Sequence, residues 1–570
     1  MPKRFPAIYF EATRDTMARL TTALFDRHQV EVHHFVRIEA HDPGVLAQEA
    51  AREDVGGMLT QRGPYPWDAA AWWLGTAPWG DASPPCLVAF SAGFSLQPRG
   101  IAAFGLAKGG KQASAKDYFL SEKKIGWGAV TASIVATETS ALTFISVPGM
   151  AFKGAWGFLE LSFGYLLGRV VISWLLLPRY FEGELTTSYA LLERTFGVGV
   201  RRLASGTFIV TRIFADGVRL YATAIPLVII FRGYNLFAGV SDPTLYVGAI
   251  LLTAAVTVIY VQVGGVRAVI WTDVIQLGVY VVGGVIAIAV LLPKIPDVAA
   301  RLAEAAAAGK LTVFQTDGAF LTSPYHFLTA ILGGAVLSMA SHGTDYIIVQ
   351  RLFATESLRD GRRALVASGV AVILQFTLFL TVGTLLFLYY GDLPLKGDAV
   401  FPKFIVEQVP SGLSGLIIAG LLAAAMSTIS GSISSISSST VFDLYASTKW
   451  GRAATEEHKL RLSRRVSFGW AILLTGAALV FIGTGQAVVE LALSIASFTY
   501  GGFLGLFFLA VRRKTTSRAA ATGFLTGVGA MVFVVLGTKL AWPLYTLTGG
   551  LITVAVAWTA SAVEGRARPA

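Results

Sequence analysis

The chemistry this chain offers lies in polar residues set inside long apolar runs. Residues 132–143 read ASIVATETSALT and are followed by Pro148-Gly149. A polar group inside a membrane is costly and by default marks a site or a pathway. Pro148 has no amide proton and its ring opposes the carbonyl four residues back, so it does not support a regular helix. Carbonyls freed in this way are cation ligands where they line a cavity. A second cluster runs from Ala424 through Ser427, Thr428, Ser430 and Gly431 to a row of serines ending at Thr440. Ala424 lies one helical turn from Thr428, and small side chains there let a neighbouring backbone approach closely. Hydroxyl and carbonyl oxygens are hard ligands that suit an alkali cation rather than a transition metal. The later serines read as a small-residue packing seam. A third cluster, Ser338 to Tyr346, holds His342, Gly343 and Asp345. His342 reads equally as a structural histidine and as a ligand. Asp273 follows Trp271-Thr272, and Asp216 sits three residues before Arg219, where the two can pair across one helix face either as structural glue or in contact with a solute.

Other chemistry is excluded. The only cysteine, Cys86, rules out an intramolecular disulfide and any multi-cysteine metal cluster. The seven histidines are scattered, and neither a metal cluster nor a nucleophile constellation is visible, so no cofactor and no enzyme activity is expected. The net charge of +11 does not indicate nucleic acid, because the basic residues sit in short loops between apolar segments.

These residues must be positioned by membrane helices. Hydrophobic residues make up 54% of the 570 positions and charged residues 14%, against about a quarter charged in soluble proteins. Twelve apolar segments approach the roughly 20 residues that a bilayer span needs. They are 126–152, 155–178, 203–231, 244–263, 269–293, 326–349, 364–390, 412–445, 466–484, 488–511, 519–537 and 542–563. Lys and Arg concentrate in alternate loops, such as Arg359, Arg362 and Arg363, or Arg512, Lys514 and Arg518, which places those loops and the C-terminus in the cytoplasm. The expected location is the inner membrane, multi-pass, with the lipid bilayer as partner. The two interrupted segments are the first and the sixth. Broken helices five apart are what an inverted five-plus-five repeat gives, with a site between them at mid-membrane.

Residues 1–110 depart from this pattern, with Trp-rich and Pro-rich stretches mixed with charge. The apolar stretch 86–107 is interrupted by Gln97, Pro98 and Arg99. This atypical N-terminal region reads as a small soluble extension, a disordered tail or a wrongly chosen start, and residues 111–565 as a transporter domain of about twelve helices.

With these segments in place, the chain resembles the sodium:solute symporter family over about residues 112–515. The motifs are Lys116-Asp117-Tyr118-Phe119-Leu120 with Trp127; Ala136 to Thr143 with Pro148-Gly149; Gly264-Gly265-Val266 leading to Trp271-Thr272-Asp273; Gln350-Arg351; and Ala424 to Thr428 ending in Asp443-Leu444-Tyr445. The resemblance implies an all-α polytopic membrane protein of LeuT type, five plus five with extra C-terminal helices. It implies a symporter that imports a small organic solute by alternating access, with sodium as coupling ion. The alternatives are a proton-coupled or uncoupled carrier of the same fold, or a solute sensor. The family's shared sodium site maps onto Ala136, Thr139, Ala424, Ser427 and Thr428. A second sodium or a release path maps onto Asp273 and Ser430 with Ser427, but Gly431 stands where one serine would be. Candidate solute-binding residues are Glu138, Thr143, His342, Asp345 and Asp216. Thr143 and Glu138 fall where sugar carriers have amides, which argues against a galactose-like solute. The family also carries one more membrane helix before the Lys-Asp-Tyr-Phe motif.

Overall fold

The computed structural model describes residue 112 and residues 114–566, apart from 122–124, 184, 234–236, 238, 483–487 and 513. The N-terminal region and its candidate stretch 86–107 lie outside the described residues. Gly93–Val409 with Leu416–Ala570 forms one compact unit. Of the other unit, Met1–Ala92 with Pro410–Gly415, only the latter six residues are described; Pro410 precedes a helix that the other five begin.

Regular structure among the described residues is helical. Thirteen helices frame the site: α1 Trp127–Glu138, α2 Ala141–Lys153, α3 Gly157–Leu175, α4 Val198–Gly233, α5 Asp242–Leu291, α6 Phe327–Gly343, α7 Tyr346–Phe353, α8 Leu358–Tyr390, α9 Ser411–Ser439, α10 Glu456–Val480, α11 Val488–Arg512, α12 Ser517–Gly537 and α13 Tyr545–Arg566. Nine of the described segments are long and apolar enough to cross a bilayer, and two bent pairs, α1 with α2 and α6 with α7, raise the number to 11. The expected segment 466–484 falls on α10, which starts ten residues earlier with Glu456, Glu457 and four basic residues by Arg465, so its first turns are polar and only its second half is apolar. The long helix α5 is two spans, Asp242–Ile259 and Gly264–Lys294, joined at a kink. Gly265 has φ +60° there, and a Cβ on it would lie 2.6 Å from the Tyr118 carbonyl oxygen. Only glycine tolerates that conformation and that approach. The Lys-Asp-Tyr-Phe motif, on the short helix Ala115–Leu120, is thus held in the elbow of α5, where the Tyr118 hydroxyl also donates to the Val261 carbonyl at 3.0 Å.

Both expected interruptions are present, but the first has a different cause. The chain bends by 62° between Trp127–Glu138 and Thr143–Lys153 and by 58° between α6 and α7. The first break is at Thr139 and Ser140, both extended, whereas Pro148 lies within the continuous α2. The sequence expectation that Pro148 interrupts the span is therefore corrected. Its carbonyl instead marks a close crossing: a Cβ on Gly383 of α8 would lie 2.1 Å from the Pro148 oxygen. At the second break Thr344 and Asp345 follow Gly343, and the Asp345 carboxylate caps α7 by accepting the Ile347 amide at 3.0 Å, a normal way to satisfy an orphan donor at a helix start.

The span Gly412–Tyr445 is 94% buried over its most apolar stretch, against 28% for Trp542–Glu564. α9 is therefore central to the bundle and α13 peripheral. Small side chains on α9 make this burial possible, since Ser427, Ser430, Ser432, Ser434 and Ser435 let neighbouring helices close on it.

Candidate functional site

Three polar clusters lie around the two breaks. The first is where the end of α1 meets α9. The last carbonyls of a helix have no helical donor. At the end of α1 the Thr139 amide takes the Val135 carbonyl at 2.9 Å, which leaves the carbonyls of Ala136, Thr137 and Glu138 facing the break. The Thr428 hydroxyl lies 3.5 Å from the Thr137 carbonyl and 3.2 Å from that of Ala424. The structure therefore brings Ala424 and Thr428 against the residue next to Ala136. The Thr139 hydroxyl pairs with the side chain of Gln375, to which Tyr280 also donates at 2.8 Å.

The second cluster surrounds Asp273 on α5, fully buried. Ser427 donates to its Oδ1 at 2.6 Å, and Ser133 and Arg351 donate to Oδ2, the latter at 3.1 Å. Thr137 is 3.5 Å from the same oxygen. Ser430 donates to the Ser427 carbonyl at 2.9 Å, so its hydroxyl is turned to its own helix rather than to Asp273.

The third cluster is a cavity of about 140 Å³ between the broken helices. Glu138, Thr143 and His342 line it, with Arg219, Phe376 and Tyr500. Glu138 is ion-paired with Arg169 on α3 and lies 3.4 Å from His342 Nε2. Arg169 also donates to Ser368 at 2.8 Å. Asp216 and Asp345 are not among the lining residues. They stand behind the cavity wall and share Arg212: Asp345 pairs with it directly, and Asp216 at 3.2 Å. Tyr500 donates to Asp345 at 2.7 Å, and Ser432 donates to Asp216 at 2.6 Å. The expected Asp216–Arg219 contact is present at 3.3 Å, as one part of this larger network. The wall thus carries compensated charge, with each buried carboxylate beside a guanidinium.

Sequence reasoning passed over Arg169, Arg212, Gln375 and Tyr500, and named Arg351 only within the Gln350-Arg351 motif. The first two carried a signal, since each is an arginine inside an apolar span, and such charges are rare and functional by default. Tyr500 and Gln375 carried none, because a single polar residue facing a partner across the bundle leaves no local pattern.

Two bent helices, a buried serine-rich helix crossing one of the bends and a cavity of mixed polar and apolar lining between them define a membrane carrier of the LeuT fold. A sequence model of the Sodium:solute symporter family matches residues 118–529. The chain belongs to that family; it is a multi-pass membrane transporter coupled to sodium, not an enzyme. It is 27% identical over 477 residues to the sodium/sialic acid symporter NanT of Aliivibrio fischeri, covering 80% of this chain and 90% of that protein. It is 29% identical over 455 residues to the sodium/iodide cotransporter of Homo sapiens, covering 77% and 67%. A solved structure of a Na+-coupled sialic acid symporter, substrate-bound and outward-open, matches with a TM-score of 0.74 and 25% identity over 83% of this chain and 98% of that one.

Proposed function

We propose that sodium binds where α1 breaks against α9 and that a small organic solute fills the cavity between α1–α2 and α6–α7, the two being carried inward together by alternating access. The observation that carries this reading is the Thr428 hydroxyl bridging the Ala424 and Thr137 carbonyls at the helix break. The proposed ligands are the carbonyls of Ala136, Thr139 and Ala424 and the hydroxyls of Ser427 and Thr428. A hydroxyl that donates its proton keeps its lone pairs. Ser427 donating to Asp273, and Thr428 donating to a carbonyl, therefore leave both oxygens able to face a cation. Sodium drawing α1 onto α9 fixes the broken end of α1, whose last residue, Glu138, lines the cavity. That shared element makes ion and solute binding favour each other, and the coupling is reciprocal. A membrane potential of about 100 mV drives each sodium inward with about 2.3 kcal/mol.

A pocket of about 150 Å³ holds a molecule of benzene's size, and the partly open cavity of about 140 Å³ has room for a small solute in this state. Five serine and threonine hydroxyls, Thr137, Ser140, Thr143, Ser146 and Ser341, and apolar residues such as Met150, Phe158 and Phe376 share its wall, which suits a solute with both polar and apolar parts. The location proposed is the inner membrane with the C-terminus in the cytoplasm, on the loop charges.

The test is a thermal-shift screen of the purified protein against a panel of small solutes, with sodium or with potassium in its place. A solute that stabilises the protein in sodium and far less in potassium is expected. Replacing Ser427→Ala together with Thr428→Ala should remove the sodium dependence while the protein remains in the membrane. Unchanged sodium dependence in that variant overturns the site.

A further inference from the structure

Two opposite charges face the cavity, and each keeps an atom free for a solute. Glu138 ends α1 and is 17% exposed, while its partner Arg169 stands behind it on α3 and is 0% exposed. Arg169 and His342 both lie against Oε2 of Glu138. Among the described residues Oε1 accepts no hydrogen bond. Arg219 on α4 lines the same cavity and is 20% exposed, with Asp216 behind it at 3%. Its Nη1 donates to Asp216 at 3.3 Å, and among the described residues its Nε and Nη2 meet no acceptor. Nε and Nη2 form one edge of the guanidinium, a fork that matches the two oxygens of a carboxylate. Arg212 also touches the cavity but is occupied, since it donates to Asp216, Asp345 and Tyr500.

The charges around the cavity balance. Arg169, Arg212 and Arg219 are three positive groups, and Glu138, Asp216 and Asp345 are three negative ones. A solute with one net charge would leave that charge unmatched inside the membrane, where an uncompensated ion is costly. It would also meet either Glu138 or Arg219 as a like charge within a cavity of about 140 Å³. An uncharged solute would strip water from the free oxygen of Glu138 and the free edge of Arg219 without giving either an ionic partner. A solute with one charge of each sign avoids both costs. Leu337, Phe158 and Phe376 on the wall leave room for an apolar body between its charged ends.

We propose that the solute is a zwitterion of the α-amino-acid type, with its ammonium at Oε1 of Glu138 and its carboxylate at the Nε–Nη2 edge of Arg219. The inference rests on the sodium-coupled reading given above and adds the class of solute to it. Specificity comes from both ends of the cavity. A solute that lacks either charge leaves one wall group unpaired. The loss of one charge-assisted contact weakens binding on the order of ten- to a hundredfold.

The experiment is a thermal-shift titration of the purified full-length protein in sodium against four sets of solutes. These are the proteinogenic amino acids, the carboxylic acids and the amines with the same carbon skeletons, and uncharged polyols and amides. An amino acid is expected to stabilise the protein, with its matched acid and amine needing on the order of ten- to a hundredfold higher concentration. Equal potency of the matched acid or amine overturns the inference, as does stabilisation only by singly charged or uncharged solutes. The sodium-coupled reading stands in either case. No stabilisation by any set overturns both. Arg219→Gln leaves Asp216 paired with Arg212 at 3.2 Å and should bring the amino acid and its matched amine to similar potency. Glu138→Gln with Arg169→Met removes the other pair together, so that no lone charge is left buried. It should bring the amino acid and its matched acid to similar potency. Folded variants that keep the parent's ratios overturn the roles given to Glu138 and Arg219. If neither variant folds, the ratios on the parent protein decide.

Discussion

Arg169→Met tests whether the charge in the cavity wall is compensated as the geometry indicates. Arg169 is 0% exposed and Glu138 is 17% exposed, so the pair is largely shielded from solvent. Removing one partner of a buried ion pair costs about 3–5 kcal/mol, because the other charge is left behind. The low end applies, at about 3 kcal/mol, since Glu138 keeps His342 at 3.4 Å and some contact with the cavity. Methionine preserves the length of the side chain. Ser368 loses the guanidinium but still donates to the Leu365 carbonyl at 2.7 Å, so it adds little. Most of the loss therefore resides in Glu138, and neutralising that residue should recover it. The assay is a double-mutant cycle of melting midpoints in detergent, with the wild type, Arg169→Met, Glu138→Gln and the pair. Arg169→Met is expected to melt lowest and the double variant to melt above it. A polytopic protein does not unfold in two states, so the order of midpoints is read rather than a free energy. If the double variant melts at or below Arg169→Met, Glu138 is not the uncompensated group and the wall is not balanced in this way.

Two further outcomes follow from particular contacts. Gly383→Ala places a methyl group 2.1 Å from the Pro148 carbonyl oxygen, an obstruction by backbone that cannot rotate away. Overpacking of this kind costs about 1–3 kcal/mol or more; a lower melting midpoint is expected, and an unchanged one means that α2 and α8 do not cross there. For orientation, Lys514→Cys in a Cys86→Ser background should react with a membrane-impermeant maleimide only after permeabilisation. Labelling in intact cells would reverse the assigned topology.

The sequence carried a good deal of the site because membrane burial makes polar residues conspicuous. Ser427, Thr428, Asp273 and Glu138 stand out against apolar neighbours, and the order of short motifs named the family that the sequence comparison then established. The two breaks were legible for the same reason, since polar residues and glycine cluster where α6 gives way to α7. The mechanism of the first break was not. Pro148 is locally the strongest helix breaker, yet it stays within α2 while Thr139 and Ser140 open. Gly383 of a distant helix packs on the Pro148 carbonyl, and no local pattern reports that contact.

What the amino-acid sequence determined by itself was the class of protein, its set of apolar segments and their polar interruptions. These follow from transfer free energies and helix chemistry that act residue by residue. Only the tertiary structure decided which charges compensate one another. Arg169 finds Glu138 31 positions away, Arg212 finds Asp345 133 positions away, and Arg351 finds Asp273 78 positions away. Electrostatic pairing depends on distance in space, and the folded bundle sets that distance.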